Sequence, residues 1–234
     1  TFTNITEKKN SRSALEAAKR EAEQANLAKS RFLAAASHDL RQPLQSLALL
    51  QGLLLAKVKD EGAQNLLERL EQTLTTMAGM LNTMLDINQI EAGIVQPRPV
   101  DFVIGDLMQQ VRGEFVDQAQ AQKLDLRLVH SSRVLHSDPA MIAQMLRNLV
   151  SNALKYTTRG KILLGCRQQG DILRLEVWDT GVGIAASQLE AIFDEYHQLD
   201  NAARERSLGL GLGLSIVQRL GILLGHRVSV RSTP

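Results

Sequence analysis

Arg147-Asn148-Leu149-Val150-Ser151-Asn152-Ala153-Leu154-Lys155-Tyr156 closes a helical pattern that opens at Pro139. Asn148, Asn152, Lys155 and Tyr156 stand at spacings of four, three and one, so they share one face of that helix. Two alternating apolar runs follow at 162–166 and 172–178, separated by Gln168-Gln169-Gly170-Asp171, and read as a hairpin. On the upstream side the pattern predicts a strand at 100–103, a helix at 105–120 and a strand at 124–129. Downstream it predicts a long polar loop to about 208, a helix from about 212 to 224 and a last strand at 228–230. Helices on one face of a mixed sheet, an α+β sandwich, is the fold this order implies.

The front of the chain is different. Residues 7–57 give one nearly unbroken helical pattern, in which Leu15, Ala18, Ala22, Ala25, Ala28 and Phe32 recur at three- and four-residue steps, as in a narrow coiled-coil seam. Pro43 removes an amide donor and is expected to kink this helix. After a break at 57–62, Leu67, Leu70, Leu74, Met77, Leu81 and Met84 alternate strictly, with Asn88 in phase. Two such helices form an antiparallel hairpin with too little apolar surface to stand alone, and dimerising into a four-helix bundle would bury it. Gly93, Pro97 and Pro99 mark a linker to the α+β part. There is no internal repeat.

Composition sets few further bounds. The 234 residues suffice for one or two cores, at 44% hydrophobic, 22% charged and only 3% aromatic. A net charge of +2 argues for neither nucleic acid nor an anionic membrane. The lone Cys166 excludes an internal disulfide and fits a reducing cytoplasm. No signal peptide is evident, and no apolar run approaches the ~18–20 residues of a membrane helix.

Four groups of residues carry chemistry. In His38-Asp39-Leu40-Arg41-Gln42-Pro43-Leu44, an imidazole can act as nucleophile while the neighbouring carboxylate takes its proton. His38 falls roughly opposite the stripe Leu33, Leu40, Leu44, Leu47 and Leu54, and is expected to face solvent, although Leu49 and Leu53 lie on its side. On the Asn148–Tyr156 face, an amide oxygen suits Mg²⁺ with phosphate and water, a lysine suits phosphate, and a tyrosine offers a flat face to a base. Asp179, at the end of a strand and before Thr180-Gly181-Val182-Gly183, can accept from the exocyclic amine of adenine while the glycines let backbone approach. Gly209, Gly211 and Gly213 lead into the last helix, whose N-terminus favours phosphate; no Gly-Lys-Ser/Thr follows, so this is not a P-loop.

Taken in order, these segments resemble the H, N, G1, F and G2 boxes of the sensor histidine kinases of two-component systems, from about Lys29 to the end of the chain. The resemblance implies a dimeric helical hairpin followed by an ATP-binding sandwich of the type shared with gyrase and Hsp90. It divides the chain into an upstream stem at 1–28, a dimerisation and phosphotransfer hairpin at 29–93, and a catalytic ATP-binding domain at 94–234. It implies ATP-dependent phosphorylation of His38 with Asp39 as its partner, and phosphotransfer to an aspartate of a response-regulator receiver. Asn152 is then the Mg²⁺ ligand with Asn148 beside it, Lys155 touches phosphate, and Tyr156 packs near the adenine. Asp179 reads the base, Gly181 and Gly183 shape its pocket, and Gly209, Gly211 and Gly213 line the phosphates. Ile192-Phe193-Asp194-Glu195-Tyr196 resembles the F box, and residues 197–208 resemble an ATP lid in which Arg204 and Arg206 are either phosphate contacts or solvated.

The resemblance also implies a homodimer, a cytoplasmic location, and no contact of this piece with membrane or nucleic acid. Thr1-Phe2-Thr3-Asn4-Ile5-Thr6 alternates as a strand does and resembles the end of a PAS sensor domain, with Asn4 for the usual Asp; a plain chain end fits these six residues equally well. Relatives continue past the position of Pro234 into a Gly-rich turn and another strand. Asp39 stands where most of the family has Glu. Gln42 stands where relatives place a Thr or Asn that helps dephosphorylate the partner, which leaves phosphatase activity open. Two rival readings remain at this point. One is a gyrase-type ATPase, chaperone or protein serine kinase; the other is a coiled-coil signalling module with an inactive nucleotide site.

Overall fold

The computed structural model describes residues 2–170, 172–197 and 211–234, with the side chains of 2–7, 22, 23, 26, 27, 29–35, 37, 38 and 91 outside the description. The chain divides into two compact units, Thr1–Val95 and Gln96–Pro234.

The first unit is a helical hairpin of α1 (Phe2–Leu55) and α2 (Glu61–Glu91). Asp60 caps α2, its Oδ2 accepting from the Ala63 amide at 2.8 Å, while the Gln64 side chain donates to the Val58 carbonyl at 2.9 Å. These two bonds fix the turn. Gln51 donates to the Leu67 carbonyl at 3.0 Å, and Arg41 to Asn82 Oδ1 at 2.7 Å, so α1 and α2 run antiparallel. The expected heptad splits between two surfaces. Leu74 is buried and Leu67 and Leu81 are half-buried, whereas Leu70, Met77 and Met84, also seven apart, are 44%, 47% and 37% exposed. On α1, Leu40, Leu47 and Leu54 repeat at the same interval and are half exposed. Asn88, in phase with Leu74, is buried and donates to the Met84 carbonyl at 2.6 Å.

Two expectations for α1 change. Residues 2–6 are helical, and the strand expected at 1–6 is absent among the described residues. Alternation over six residues is weak, and a lone strand leaves its amides unpaired whereas extending a helix satisfies them. Pro43 lies inside α1, which continues through it as one element.

The second unit contains β1 (Val100–Val103), α3 (Ile104–Ala121), β2 (Leu124–Leu128), β3 (Val134–Ser137), α4 (Pro139–Tyr156), β4 (Gly160–Gln169), β5 (Ile172–Asp179) and α5 (Gly213–Leu224). Two short 3₁₀ turns, Ala186–Gln188 and Ala191–Phe193, lie in the stretch expected as plain loop. β2 pairs parallel with β4 and β4 antiparallel with β5, so the mixed sheet is three-stranded, in register Leu126↔Ile162↔Asp179. β1 and β3 form a separate antiparallel ribbon. β3 has no counterpart in the sequence reading: its four residues, Val134-Leu135-His136-Ser137, carry no clear period, and pairing with β1 creates the strand. The strand expected at 228–230 is absent, and just beyond it Ser232 Oγ accepts from the Ile184 amide at 2.9 Å.

The core follows from alternation in strands and 3.6-residue periodicity in helices. Ile162 and Leu164 of β4 point inward against Ile104, Met108 and Val111 of α3 and Leu146, Val150 and Leu154 of α4. α4 is firmly seated. Asp138 caps it, accepting from the Ala140 and Met141 amides at 2.9 and 3.1 Å, and its other oxygen accepts from the Arg98 amide at 2.8 Å, tying the preceding linker to the helix. Pro139 occupies the first turn, where its missing amide costs nothing. Arg147 grips Glu114 of α3 through two bonds of 2.6 and 2.8 Å, which holds the Glu114 carboxyl below its ordinary pKa.

Candidate active site

α4 turns its apolar side to the core and leaves Asn148, Asn152 and Lys155 half-buried, with Tyr156 exposed at its end. Two other segments meet this helix, one at each end of its polar face.

At the upstream end stands the start of α5. A side chain at Gly213 would place its Cβ 3.1 Å from Asn148 Oδ1 and under 4 Å from both terminal atoms of Asn152. Glycine therefore lets the N-terminus of α5 seat beside the two amides. Its N-cap, Leu212, offers no side-chain bond, and Ser215 Oγ donates to the Leu212 carbonyl. The first amides of α5 are thus uncapped by Leu212 and carry the positive end of the helix dipole. Asn148 is oriented by donating to the Gln144 carbonyl at 2.9 Å. Gly211 has φ +72°, and a Cβ there would lie 2.7 Å from the His197 carbonyl oxygen, so this turn admits glycine only. The His197 ring is in turn hydrogen-bonded to Gln188 at 3.0 Å, and Arg219 of α5 is ion-paired with Glu195.

At the downstream end the Asp179 turn backs onto Tyr156. Asp179 Oδ1 accepts from the Gly181 amide at 2.8 Å, an Asx turn at the end of β5. The Val182 amide donates to the Tyr156 carbonyl at 3.4 Å. Thr180 accepts from the Lys161 amide at 3.1 Å, so the turn is stitched to the start of β4 as well. Just before Asp179, the Trp178 indole and Arg167 both donate to Glu176, which lowers its carboxyl pKa and fixes the strand end. Lys155 Nζ lies 4.9 Å from the centre of the Tyr156 ring, a cation–π contact. Gly183, at φ +71°, packs on the backbone of Thr233.

The arrangement has a phosphate-suited end and a base-suited end on one helix face, separated by the eight residue steps from Asn148 to Tyr156, about 12 Å at 1.5 Å per residue. Gly209, Arg204 and Arg206 lie outside the described residues. In the first unit His38 is a residue of α1 whose side chain lies outside the description, and Asp39 beside it is exposed. The sequence reading passed over Glu114, and it quoted Thr180 and Glu195 within their motifs without giving either a role. Each acts through a partner distant in sequence, and nothing in the local pattern marks such a partner.

Each of the two units contains a match to a known protein family. Residues 28–93 match the family model of the His Kinase A (phospho-acceptor) domain, and residues 137–234 match that of the histidine kinase-, DNA gyrase B- and HSP90-like ATPases. An uncharacterized sensor-like histidine kinase of Rhizobium meliloti (strain 1021) is 35% identical over 90% of this chain and 42% of its own length. The sensor histidine kinase RcsC of Escherichia coli (strain K12) is 32% identical over 91% of this chain and 23% of its own length. The chain thus spans less than half of the curated relatives it matches. The fold of full-length ShkA, solved in complex with AMPPNP, superposes with a TM-score of 0.69 at 24% identity, over 86% of this chain and 44% of that one. A gyrase-type or chaperone ATPase has no use for a phospho-acceptor hairpin, and with both family matches present the chain belongs to the sensor histidine kinases.

Proposed function

We propose that this chain phosphorylates itself on His38 with ATP and passes the phosphoryl group to an aspartate of a response-regulator receiver. The observation that carries the reading is the meeting of the Asn148–Asn152 pair with the uncapped start of α5 at one end of α4, and of the Asp179 turn with Tyr156 at the other. Residues 29–93 then act as the dimerisation and phosphotransfer hairpin, residues 94–234 as the ATP-binding domain, and residues 1–28 as the stem from an upstream sensor.

Asp179 accepts from the adenine amine, Tyr156 lies along the base, and Gly181 and Gly183 keep the pocket open. Lys155, the α5 amides and the Gly209, Gly211 and Gly213 backbone hold the phosphates. A hard cation that keeps several waters fits the donor set, because the face offers amide oxygens and no cluster of three or more acidic, His or Cys side chains among the described residues. Asn152, with Asn148 beside it, would hold Mg²⁺, which supplies neutralising charge at the phosphates when bound.

One nitrogen of His38 attacks the γ-phosphorus, the bond from phosphorus to the β–γ bridging oxygen breaks, and ADP departs with the electron pair. Asp39 takes the proton from the other ring nitrogen. Positioning and charge stabilisation carry the rate, since the site supplies no covalent intermediate other than phosphohistidine. The exposed stripes Leu40–Leu47–Leu54 and Leu70–Met77–Met84 support a homodimer through the hairpin. No helix among the described residues is long and apolar enough to cross a membrane.

Incubation with γ-labelled ATP and Mg²⁺ tests the reading. The expected result is an acid-labile, base-stable label on the wild type that is absent from His38→Ala. ATP binding without any label would favour the nucleotide-sensing module over the kinase.

A further inference from the structure

Residues 181–184 leave the sheet after Asp179 and are held from two sides. On one side the Val182 amide reaches the Tyr156 carbonyl at 3.4 Å, long for a backbone hydrogen bond. On the other, the Ile184 amide donates to Ser232 Oγ at 2.9 Å, the tighter hold of the two. Ser232 belongs to the segment that follows α5. Beside its bond, Gly183 at φ +71° lies directly on that segment: a Cβ there would fall 2.2 Å from the Thr233 carbonyl oxygen and 2.7 Å from Pro234 Cα.

Backbone pairing does not supply this hold. The segment is pinned at its start, where the His226 amide donates to the Gly221 carbonyl at 2.8 Å and the His226 ring bonds Ser137 at 2.8 Å. Beyond that point no backbone–backbone hydrogen bond engages residues 227–234 among the described residues. A side-chain hydroxyl therefore does what a strand ladder does elsewhere. The consequence reaches Asp179. Its backbone is fixed by the pairing of β5 with β4 at Ile162, and Thr180 is stitched to Lys161. Its carboxylate is aimed by the Gly181 amide, which lies in the part of the turn outside the sheet. Letting residues 182–184 drift moves that amide, and the carboxylate loses its aim.

We propose that Ser232 is a positioning residue that sets base specificity: by holding the Ile184 amide, its hydroxyl keeps the Asp179 carboxylate directed at the amino group of the base. The proposal rests on the reading above in which Asp179 recognises adenine. Ser232 acts through the turn, and no contact with the nucleotide is assigned to it.

Affinity is measured on the whole chain by displacement of a fluorescent trinitrophenyl nucleotide, for ATP and for purine riboside triphosphate, which lacks the amine. Specificity is the ratio of the two affinities, and a general loosening of the site leaves that ratio unchanged. Ser232→Ala is expected to weaken ATP binding by about 3- to 10-fold, the worth of one hydrogen bond. Purine riboside triphosphate should lose less than about twofold, since it offers the carboxylate no amine. Ser232→Thr should restore the ratio to within about twofold, because it keeps the hydroxyl. Ser232→Ala combined with Asp179→Asn should bind ATP no worse than Asp179→Asn alone, since both changes remove one contact. A wild-type ratio in Ser232→Ala, an equal loss for both nucleotides, or a loss that threonine does not restore overturns the proposal. Should the alanine variant fail to fold, Ser232→Cys, close in shape with a far weaker acceptor, carries the same comparison. A wild-type ratio in Asp179→Asn is a separate failure: it removes the base-reading role of Asp179 and this inference with it. Loss of the ratio in Asp179→Asn but not in Ser232→Ala leaves that reading standing and removes the inference alone.

Discussion

The carbonyl oxygen of Tyr156, the last residue of α4, sits 2.6 Å from the point where a Cβ on Gly181 would be placed. Helix end and turn are in backbone contact, and only a residue without a side chain permits it. Because Asp179 Oδ1 accepts from the Gly181 amide, the same contact sets the aim of the carboxylate.

Gly181→Ala therefore has to push the turn off α4. The expected stability loss is about 1–3 kcal/mol, as for overpacking elsewhere, and ATP affinity should fall by more than the Tm shift accounts for. Calorimetric melting beside nucleotide titration checks this. An alanine variant that binds ATP normally would sink the role of the turn.

Asn152→Ala removes the amide assigned to the phosphate end, on an exposed-side position that leaves the core of α4 intact. Autophosphorylation should drop by about 10²-fold or more, in line with loss of one preorganised electrostatic contact. Circular dichroism and Tm should stay near wild type. Equal turnover in wild type and variant across a Mg²⁺ titration would rule the assignment out.

Charges placed in the two exposed stripes test the dimer. Leu47→Glu and Met77→Glu each put a carboxylate where the stripe needs an apolar contact. Each should raise the dimer dissociation constant by about 30-fold, or ~2 kcal/mol, if these are central contacts. Sedimentation velocity reads the outcome, and an unchanged sedimentation coefficient at micromolar protein would contradict it.

The Glu114–Arg147 pair gives a pH dependence with a definite sign. Its carboxyl pKa is lowered in the folded protein, chiefly by the Arg147 hydrogen bonds. The folded state therefore binds fewer protons than the unfolded one there, and the pair stabilises above the ordinary glutamate range near pH 4. That contribution fades as pH falls through the lowered value. Since both side chains are more than a third exposed, it is worth about 0.5–1 kcal/mol at neutral pH. Glu114→Gln should lower Tm slightly at pH 7 and flatten its fall between about pH 5 and 3. A variant with the acid-side slope of the wild type would show that the pair contributes nothing.

Periodicity alone identified the elements that bury a full face. The bounds of α4 follow from Pro139 and the Asn148–Tyr156 spacing, and the β4–β5 hairpin from alternation around Gly170, because a 3.6 or 2.0 period is a local property of the chain. The α2 heptad was equally legible. What it could not reveal was that Leu74 turns inward while Leu70, Met77 and Met84 stay outside, since a heptad records that a residue seeks a partner and not which partner takes it.

The site divides along the same line. Residue types and order named Asn152, Lys155, Asp179 and the glycines as one chemistry, as amide, ammonium, carboxylate and bare backbone each have few uses at such spacings. Tertiary structure alone decided which atoms meet: Gly213 beside Asn148, Tyr156 against Gly181, and Glu114 gripping Arg147. Those relations join residues from 25 to 65 positions apart along the chain. Packing of several elements at once sets them, and no local pattern encodes it.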